Sequence, residues 1–352
     1  LAVHLADVRH RQGLLLGKAS ELGFALRQEA TLAALTEEVV KTSEIEGETL
    51  NADLVRSSVA RRLGLDAGGL EHNDRKVEGA VEMMLDATQR YNQPLTEERL
   101  CRWQAALFPT GHSGMRRITV GKWRQDTTGS MQVVSGPAGR ERVHFEAPDA
   151  ARIDGEVEAF LDWFNSATNT DPVIKAGLAH LWFVTIHPFE DGNGRVARAI
   201  AEMSLARSDG ASQRFYSVSS QIRKKRGDYY RTLERTQKGS TDVTRWLDWF
   251  LYCVGAAIDS AGVTFAAVTS KERFWRSIDE IAVNDRQRAM LNRLLDGFEG
   301  KLTTTKWAQI AKCSHDTALR DINELIAHGV LLRSEAGGPR TSYDLVAPWH
   351  NA

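Results

Sequence analysis

Through the first half of the chain, apolar residues return at i, i+3 and i+4 spacing, the period of an amphipathic helix rather than a strand. LADVRHRQGLLLGKASELGF and ALRQEATLAALTEEVVKTSEIEG both carry this period, and in the second Leu32, Leu35, Val39 and Val40 line one stripe. Gly64 and the pair Gly68 and Gly69 break the pattern and predict a loop. Residues 75–90 and 95–108 read as two more helices. From about 120 to 147 the character changes. A short Met131-Gln-Val-Val134 run, a Gly-Pro-Ala-Gly break and then Arg-Val-His-Phe predict a β-hairpin at 129–146. Helices return at 152–166 and 173–186, again after residue 195, and over DVTRWLDWFLYCVGAAIDSAGVTF. Residues 271–284 read as a linker or connecting helix, and from about 285 the pattern resets. A helix at 286–296, then TTKWAQIAKCS, DTALRDINELIAHG and two strands around a Gly-Gly-Pro-Arg tip give a winged helix-turn-helix pattern, with Trp307, Ile310, Ala311, Leu319, Ile322 and Leu325 as its core. The expected fold is mainly α, with one β-hairpin in the main body and a small C-terminal winged-helix domain.

Composition narrows the function classes. With 352 residues, 42% hydrophobic and 26% charged, the chain can bury a sizeable core. A formal net charge of −1 gives no overall field toward nucleic acid or membrane, so a nucleic-acid role needs a local basic patch. Cys101, Cys253 and Cys313 are odd in number and widely spaced. That disfavours a disulfide framework or structural zinc and fits a reducing, cytoplasmic setting. No apolar run of about 18 residues and no signal peptide is read, so no membrane partner is expected.

The densest chemistry lies in residues 187–198, HPFEDGNGRVAR. Pro188 cannot continue the preceding helix, which leaves His187 at a helix exit with a side chain suited to general-base work. Phe189 is the apolar anchor of the loop. Asp191 is a hard oxygen donor suited to one position on Mg²⁺. Gly192, Asn193 and Gly194 precede a helix whose unpaired N–H groups and partial positive charge suit an anion. Arg195 and Arg198, three apart, share a helix face and can reach one polyphosphate. A base, a metal ligand, an anion nest and two cations are what phosphoryl or nucleotidyl transfer requires, since that chemistry is mostly positioning and charge neutralisation.

The stretch resembles the Fic-domain signature His-Pro-Phe-x-Asp/Glu-Gly-Asn-Gly-Arg-x-x-Arg at all nine specified positions. The resemblance implies a helical catalytic core that transfers AMP from ATP to a Tyr, Thr or Ser hydroxyl of a target protein and releases pyrophosphate. His187 would be the base and Asp191 the Mg²⁺ ligand. Gly192, Asn193 and Gly194 would hold the phosphates, with Arg195 and Arg198 at the β/γ end. The hairpin falls where such proteins carry a flap that registers the target by strand addition, with Met131, Gln132, Val133 and Val134 as its active strand. In GDYYRTLERTQ, Tyr229 or Tyr230 would pack on adenine, and Gln237 would reach sugar or base. Upstream, TSEIEG resembles the family's inhibitory-helix pattern, with Thr42, Glu46 and Gly47 at its specified positions and the helix at about 40–48. A glutamate paired with Arg198 would occupy the guanidinium that the γ-phosphate needs. The expected organisation is 1–115 N-terminal helical region, 116–270 catalytic core and 285–352 winged helix-turn-helix.

Two other readings stay open from the sequence. One keeps the fold but changes the reaction, either to another donor or to removal of AMP. The other is a winged-helix regulator whose Fic region senses nucleotide. From 301 to 346 there are six Lys or Arg against five Asp or Glu, and Arg320 is set against Asp316, Asp321 and Glu324, so DNA is a weakly supported partner. Expected partners are therefore ATP and a target protein, the chain itself included; homodimerisation stays open.

Overall fold

The computed structural model describes residues 1–65, 74–125, 130–136, 140, 142–167, 169–295, 297–298, 300–334 and 341–346. Two compact units divide at Gly262 and Val263. The first contains α1 (Ala2–Glu21), α2 (Phe24–Ile45), α3 (Ala52–Arg62), α4 (Arg75–Gln89), α5 (Glu97–Leu107), α6 (Ile153–Asn165), α7 (Pro172–Ile186), α8 (Asn193–Asp209), α9 (Val218–Lys224) and α10 (Arg226–Gln237). Helix α11 (Thr244–Ser277) contributes its first half to this unit. Two antiparallel ribbons interrupt the helices: β1 (His112–Ser113) with β2 (Arg116–Arg117), and β3 (Gln132–Ser135) with β4 (Arg142–Glu146). The protein is mainly helical, and the helices follow the sequence period closely. Leu32, Leu35, Val39 and Val40, the predicted stripe of α2, are all buried. The loop glycines Gly68 and Gly69 lie outside the described residues.

Helix α8 is the axis of the first unit, packed against α7, α4, α5 and α2. Residues 195–206 of it are buried throughout. A helix buried on all sides is ordinarily apolar on all sides. This one carries Arg195, Arg198 and Glu202 inside, so each must find a partner. Glu202 receives Arg214 at 3.0 Å, and Arg214 also pairs with Asp209. Loss of water pushes the Glu202 carboxyl up to about 8, with Arg214 opposing that rise.

Helix α2 lies along α9 and is fixed there by a buried carboxylate. Glu38 accepts from Ser217 Oγ at 2.7 Å, from Ser219 N at 3.0 Å and from Ser219 Oγ. Burial raises its pKa and these hydrogen bonds oppose the rise. The three bonds set the rotation of α2 about its axis, and with it the direction in which its C-terminal end points.

The second unit holds the remainder of α11, then α12 (Asp285–Leu295), α13 (Thr304–Ile310), α14 (His315–Ala327) and the antiparallel pair β5 (Leu331–Arg333) and β6 (Tyr343–Leu345). Its core is Phe274, Ile278, Met290, Leu291, Leu302, Trp307, Ala318, Ile322, Leu325, Val330, Leu331 and Tyr343. Phe274 and Ile278 belong to this core, so the sequence boundary near 285 falls inside the unit rather than at its edge. Leu319 was expected in the core and is not there. Ala318 takes the place, because 318, 322 and 325 share one helical face and 319 is one residue out of phase. Asp321 was expected among surface charges but is 2% exposed and held by Arg286 through two bonds of 2.9 and 3.0 Å. The Gly-Gly-Pro-Arg tip lies outside the described residues.

One expectation is corrected by α11. It contains an 18-residue window of mean hydropathy 1.6, so one helix is long and apolar enough to cross a membrane by length and composition alone. About half of that window is buried within the protein, and Trp246, Phe250, Leu251 and Val254 pack inward as in a core helix.

Helix α4 meets α5 at Gly79, where a Cβ would fall 1.7 Å from the carbonyl oxygen of Ala106. Gly17 of α1 is exposed with open space around it. Gly79→Ala is therefore expected to destabilise the protein by about 1–3 kcal/mol through overpacking. Gly17→Ala is expected to stabilise it by roughly 0.5–1 kcal/mol through helix propensity. Chemical denaturation followed by circular dichroism checks the pair, and equal effects of the two substitutions would contradict the assigned α4–α5 contact.

Candidate active site

The site is built where α7 ends and α8 begins. Helix α7 stops at Ile186, and His187 turns the chain with φ 52° and ψ 54°, a left-handed conformation that is uncommon outside glycine. Arg124 holds this turn: its Nε donates to the His187 carbonyl at 2.8 Å, and its backbone N–H donates to the Pro188 carbonyl at 2.8 Å. Phe189 is fully buried against Trp123, with ring centroids 4.9 Å apart. The Asn193 side chain closes the loop on itself, accepting from Phe189 N at 3.0 Å and donating to Phe189 O at 2.8 Å. Gly192 has φ 91°, and a Cβ there would meet the Phe108 ring at 3.0 Å, so both conformation and space require glycine.

His187 is half-buried, and its Nδ1 lies 3.2 Å from the Val184 carbonyl. A proton on Nδ1 pointing at that carbonyl leaves the lone pair on Nε2. Desolvation, the largest effect, holds the imidazole pKa below its ordinary value; the Val184 carbonyl opposes it and nearby Arg124 adds to it. The group is therefore a neutral base near pH 7. Asp191 accepts from Gly192 N at 2.6 Å with Oδ1 and from the Ser113 hydroxyl with Oδ2.

The end of α2 stands over this loop. Glu46 is its C-cap and Gly47 follows with φ 83°. The N–H of Glu48 bonds Ser43 O at 3.0 Å and that of Gly47 bonds Glu44 O at 3.1 Å, which is the double closure of a Schellman turn. This turn projects Glu46 onto α8. Its Oε1 accepts from Arg198 Nη2 at 2.8 Å, while Arg198 also donates from Nε to Thr42 Oγ1 at 2.6 Å and from Nη2 to Thr42 O at 2.9 Å. The same Oε1 lies so close to Gly194 that a Cβ there would be 2.2 Å away. Tyr230 donates to Ile45 O at 3.2 Å and to Glu46 Oε2 at 3.3 Å, and Arg226 Nε donates to Ile45 O at 2.6 Å. The buried Arg198 Nη1 and Arg195 Nε are left without partners.

A cavity of about 520 Å³ opens beside this contact. Glu46, His187 and Gly194 form one end, Val133, Val134, His144 and Phe145 of the hairpin form a wall, and Val184, Arg226, Tyr229, Tyr230, Leu233, Glu234 and Gln237 complete it. Of the residues predicted from sequence, this brings together His187, Gly194, Glu46, Tyr229, Tyr230, Gln237, Val133 and Val134. Met131, Gln132, Asp191, Gly192, Asn193, Arg195, Arg198, Thr42 and Gly47 do not line it. Each of these has a physical reason for standing outside the cavity where the structure shows its contacts. The Asn193 side chain is committed to the loop backbone at both ends. Arg195 points to Glu48 at 2.6 Å and lies over the Phe108 ring at 4.9 Å. Arg198 is covered by Glu46. Tyr229 is 1% exposed, with its hydroxyl 2.9 Å from His180 Nε2, so only an edge of it reaches the cavity. The hairpin strand starts at Gln132 rather than Met131, and residues 129, 137–139 and 141 lie outside the described residues.

Sequence reading missed the hairpin's hold on α10. Glu234 accepts from His144 at 2.8 Å and Arg142 at 3.0 Å, bonds that with Lys238 pull its carboxyl down to about 2. It also missed Ser113 on Asp191 and Glu48 on Arg195. No short motif signals such pairs, which join residues far apart in sequence.

A single carboxylate fits a Mg²⁺ ion whose other ligands are phosphate oxygens and water. Asp191 offers that, and among the described residues no cluster of three or more His, Cys, Asp or Glu offers a metal cage made by protein alone.

Known proteins resemble this chain over part or most of its length. Residues 94–205 match the Fic/DOC family, and residues 1–65 match a domain of unknown function, DUF4172. The protein adenylyltransferase Fic of Nematostella vectensis is 25% identical over 232 residues, 64% of this chain and 48% of that one. The protein adenylyltransferase Fic of Drosophila willistoni is 25% identical over 247 residues, 69% of this chain and 45% of that one. The chain thus spans about half the length of these curated relatives. Among solved structures, a Fic family protein from Desulfovibrio desulfuricans G20 shares the fold, with TM-score 0.55 at 21% identity over 97% of this chain and 95% of that one. Residues 94–205 of this chain are a Fic domain, and its relatives at modest identity are Fic-family adenylyltransferases.

Proposed function

We propose that the protein transfers AMP from ATP to a hydroxyl side chain of a target protein, and that Glu46 holds the activity off by pairing with Arg198. The observation that carries the reading is the Glu46 carboxylate placed on Gly194 and Arg198, where an anion on the nest would sit. A carboxylate there mimics the charge and reach of a phosphate, so polyphosphate and Glu46 compete for one place.

In the reaction, a target hydroxyl attacks the α-phosphorus of ATP. An oxygen–phosphorus bond forms, the bridging bond to the β-phosphate breaks and pyrophosphate leaves. The hydroxyl proton passes to Nε2 of His187, whose Nδ1 is held by the Val184 carbonyl. Mg²⁺ bound through Asp191 would supply charge neutralisation on the phosphates. The N–H groups at the start of α8 and the buried cations Arg195 and Arg198 receive the negative charge that the leaving group gains. The nucleoside would occupy the cavity between Val133, Val134 and α10, with Tyr230 and Gln237 beside it. The exposed Val134 on β3 offers the target a strand edge.

Removal of AMP, with Glu46 positioning a water, uses the same site and is favoured by the carboxylate's reach into the cavity. For the second unit, the order α13, α14, β5, β6 supports a winged-helix reading, and burial of Asp321 removes one acidic charge from the surface of α14. A role in docking the target or a second copy fits that surface as well as DNA does. The reducing, cytoplasmic setting remains part of the proposal.

Glu46→Gly is expected to raise incorporation of label from α-³²P-ATP with Mg²⁺ by about tenfold or more, since loss of ~1.4 kcal/mol of competing interaction gives a factor of ten. His187→Ala on that background abolishes it. Equal labelling by wild type and Glu46→Gly would remove the inhibitory role. Arg198→Ala on the Glu46→Gly background is expected to raise the KM for ATP; an unchanged KM would remove Arg198 from the phosphate site. Because the folded environment lowers the pKa of His187, the base form persists below the ordinary histidine range. The kcat of Glu46→Gly should therefore hold steady from pH 8 downward and fall only below about 6.5. An acid limb centred above 7 would contradict the assignment of His187.

A further inference from the structure

The Schellman turn that places Glu46 also places Glu48, two residues on. Its Oε2 lies 2.6 Å from Nη1 of Arg195, and its Oε1 lies 3.1 Å from Nζ of Lys76. Arg195 is the other arginine of the HPFEDGNGRVAR motif. Its side chain is 6% exposed, packed over the Phe108 ring, with Nε buried and unpartnered. Glu48 is 25% exposed. The Glu46–Arg198 pair has the same asymmetry, with a 2% exposed cation and a 30% exposed carboxylate. In each pair the cation is sunk in α8 and cannot leave, whereas the carboxylate is on the surface of one short turn and can.

We infer that Glu48 is a second inhibitory carboxylate, which holds Arg195 as Glu46 holds Arg198, so that polyphosphate must displace both to engage the two cations. This rests on the proposed reaction and adds to its regulation. Two buried cations at one helix start would repel each other and attract anions from solution. Two carboxylates from one turn neutralise both and leave little net charge to draw in a polyphosphate. Release of Glu46 alone therefore frees only half of the cradle. Lys76, from α4, pulls on the opposite oxygen of Glu48 and gives the displaced carboxylate an alternative partner.

The test uses the full chain in four forms: wild type, Glu48→Gln, Glu46→Gly and the double variant. Glutamine keeps the size of the side chain and removes the charge. Titration calorimetry gives affinity for ATP and for AMP, each with Mg²⁺, and label transfer from ATP is read in parallel. Glu48→Gln is expected to tighten ATP binding about fivefold, the shift of one partly exposed ion pair, without changing AMP binding. AMP has no β- or γ-phosphate to compete for Arg195. The same gain in ATP affinity is expected on the Glu46→Gly background, with transfer rising further in the double variant. If the Glu48→Gln effect vanishes on that background, Glu48 acts only by positioning Glu46, and the inference is overturned. Unchanged ATP affinity on both backgrounds overturns it too. The affinity readout stands whether or not label is transferred; absence of transfer in all four forms would count against the proposed reaction instead.

Discussion

A buried guanidinium needs an anion, and much of this protein is arranged around supplying one to Arg198. The cation is sunk in a helix buried on every side, so leaving it unpaired would cost several kcal/mol. Thr42 supplies two acceptors and Glu46 the charge. Whatever fills this need decides whether the guanidinium is free to meet another anion.

The dipoles explain why a carboxylate is tolerated at the end of α2. A carboxylate at a helix C-terminus faces the negative end of its own helix and is disfavoured there. Placed on Gly194, it also faces the positive end of α8, which offsets the first effect. Gly47 makes the geometry possible by accepting φ 83°, and Glu38 keeps α2 from rotating away. Local backbone, helix packing and long-range electrostatics thus agree on one position for the carboxylate. Tyr230 and Arg226 from α10 tie the same turn to the wall of the cavity, so the hold on the arginine and the cavity share residues.

Much of this was legible in the sequence, for reasons that particular residues show. Long helices announce themselves by period, and α2, α4, α5, α6 and α7 begin and end within a few residues of expectation. The motif at 187–198 is contiguous, so its backbone conformation and its chemistry are read together. What escaped depended on phase or on contacts between distant segments. Leu319 missed the core by one residue of helical rotation. The β1–β2 ribbon has two residues per strand, too few to carry an alternation. The two bonds from the Asn193 side chain to Phe189 and the seat of Glu48 on Arg195 are likewise contacts that the motif itself does not announce. The pairing of Glu46 with Arg198 was reachable only because two motifs far apart in sequence pointed at each other.

The most direct test of the central claim is a crystal structure of Glu46→Gly with Mg²⁺ and a non-hydrolysable ATP analogue. The expected result has the terminal phosphate within hydrogen-bonding distance of Arg198, in the space that the Glu46 carboxylate occupies over Gly194, and the α-phosphate beside His187. A nucleotide bound elsewhere, or one whose phosphates leave Arg198 paired only to Thr42, would contradict the account.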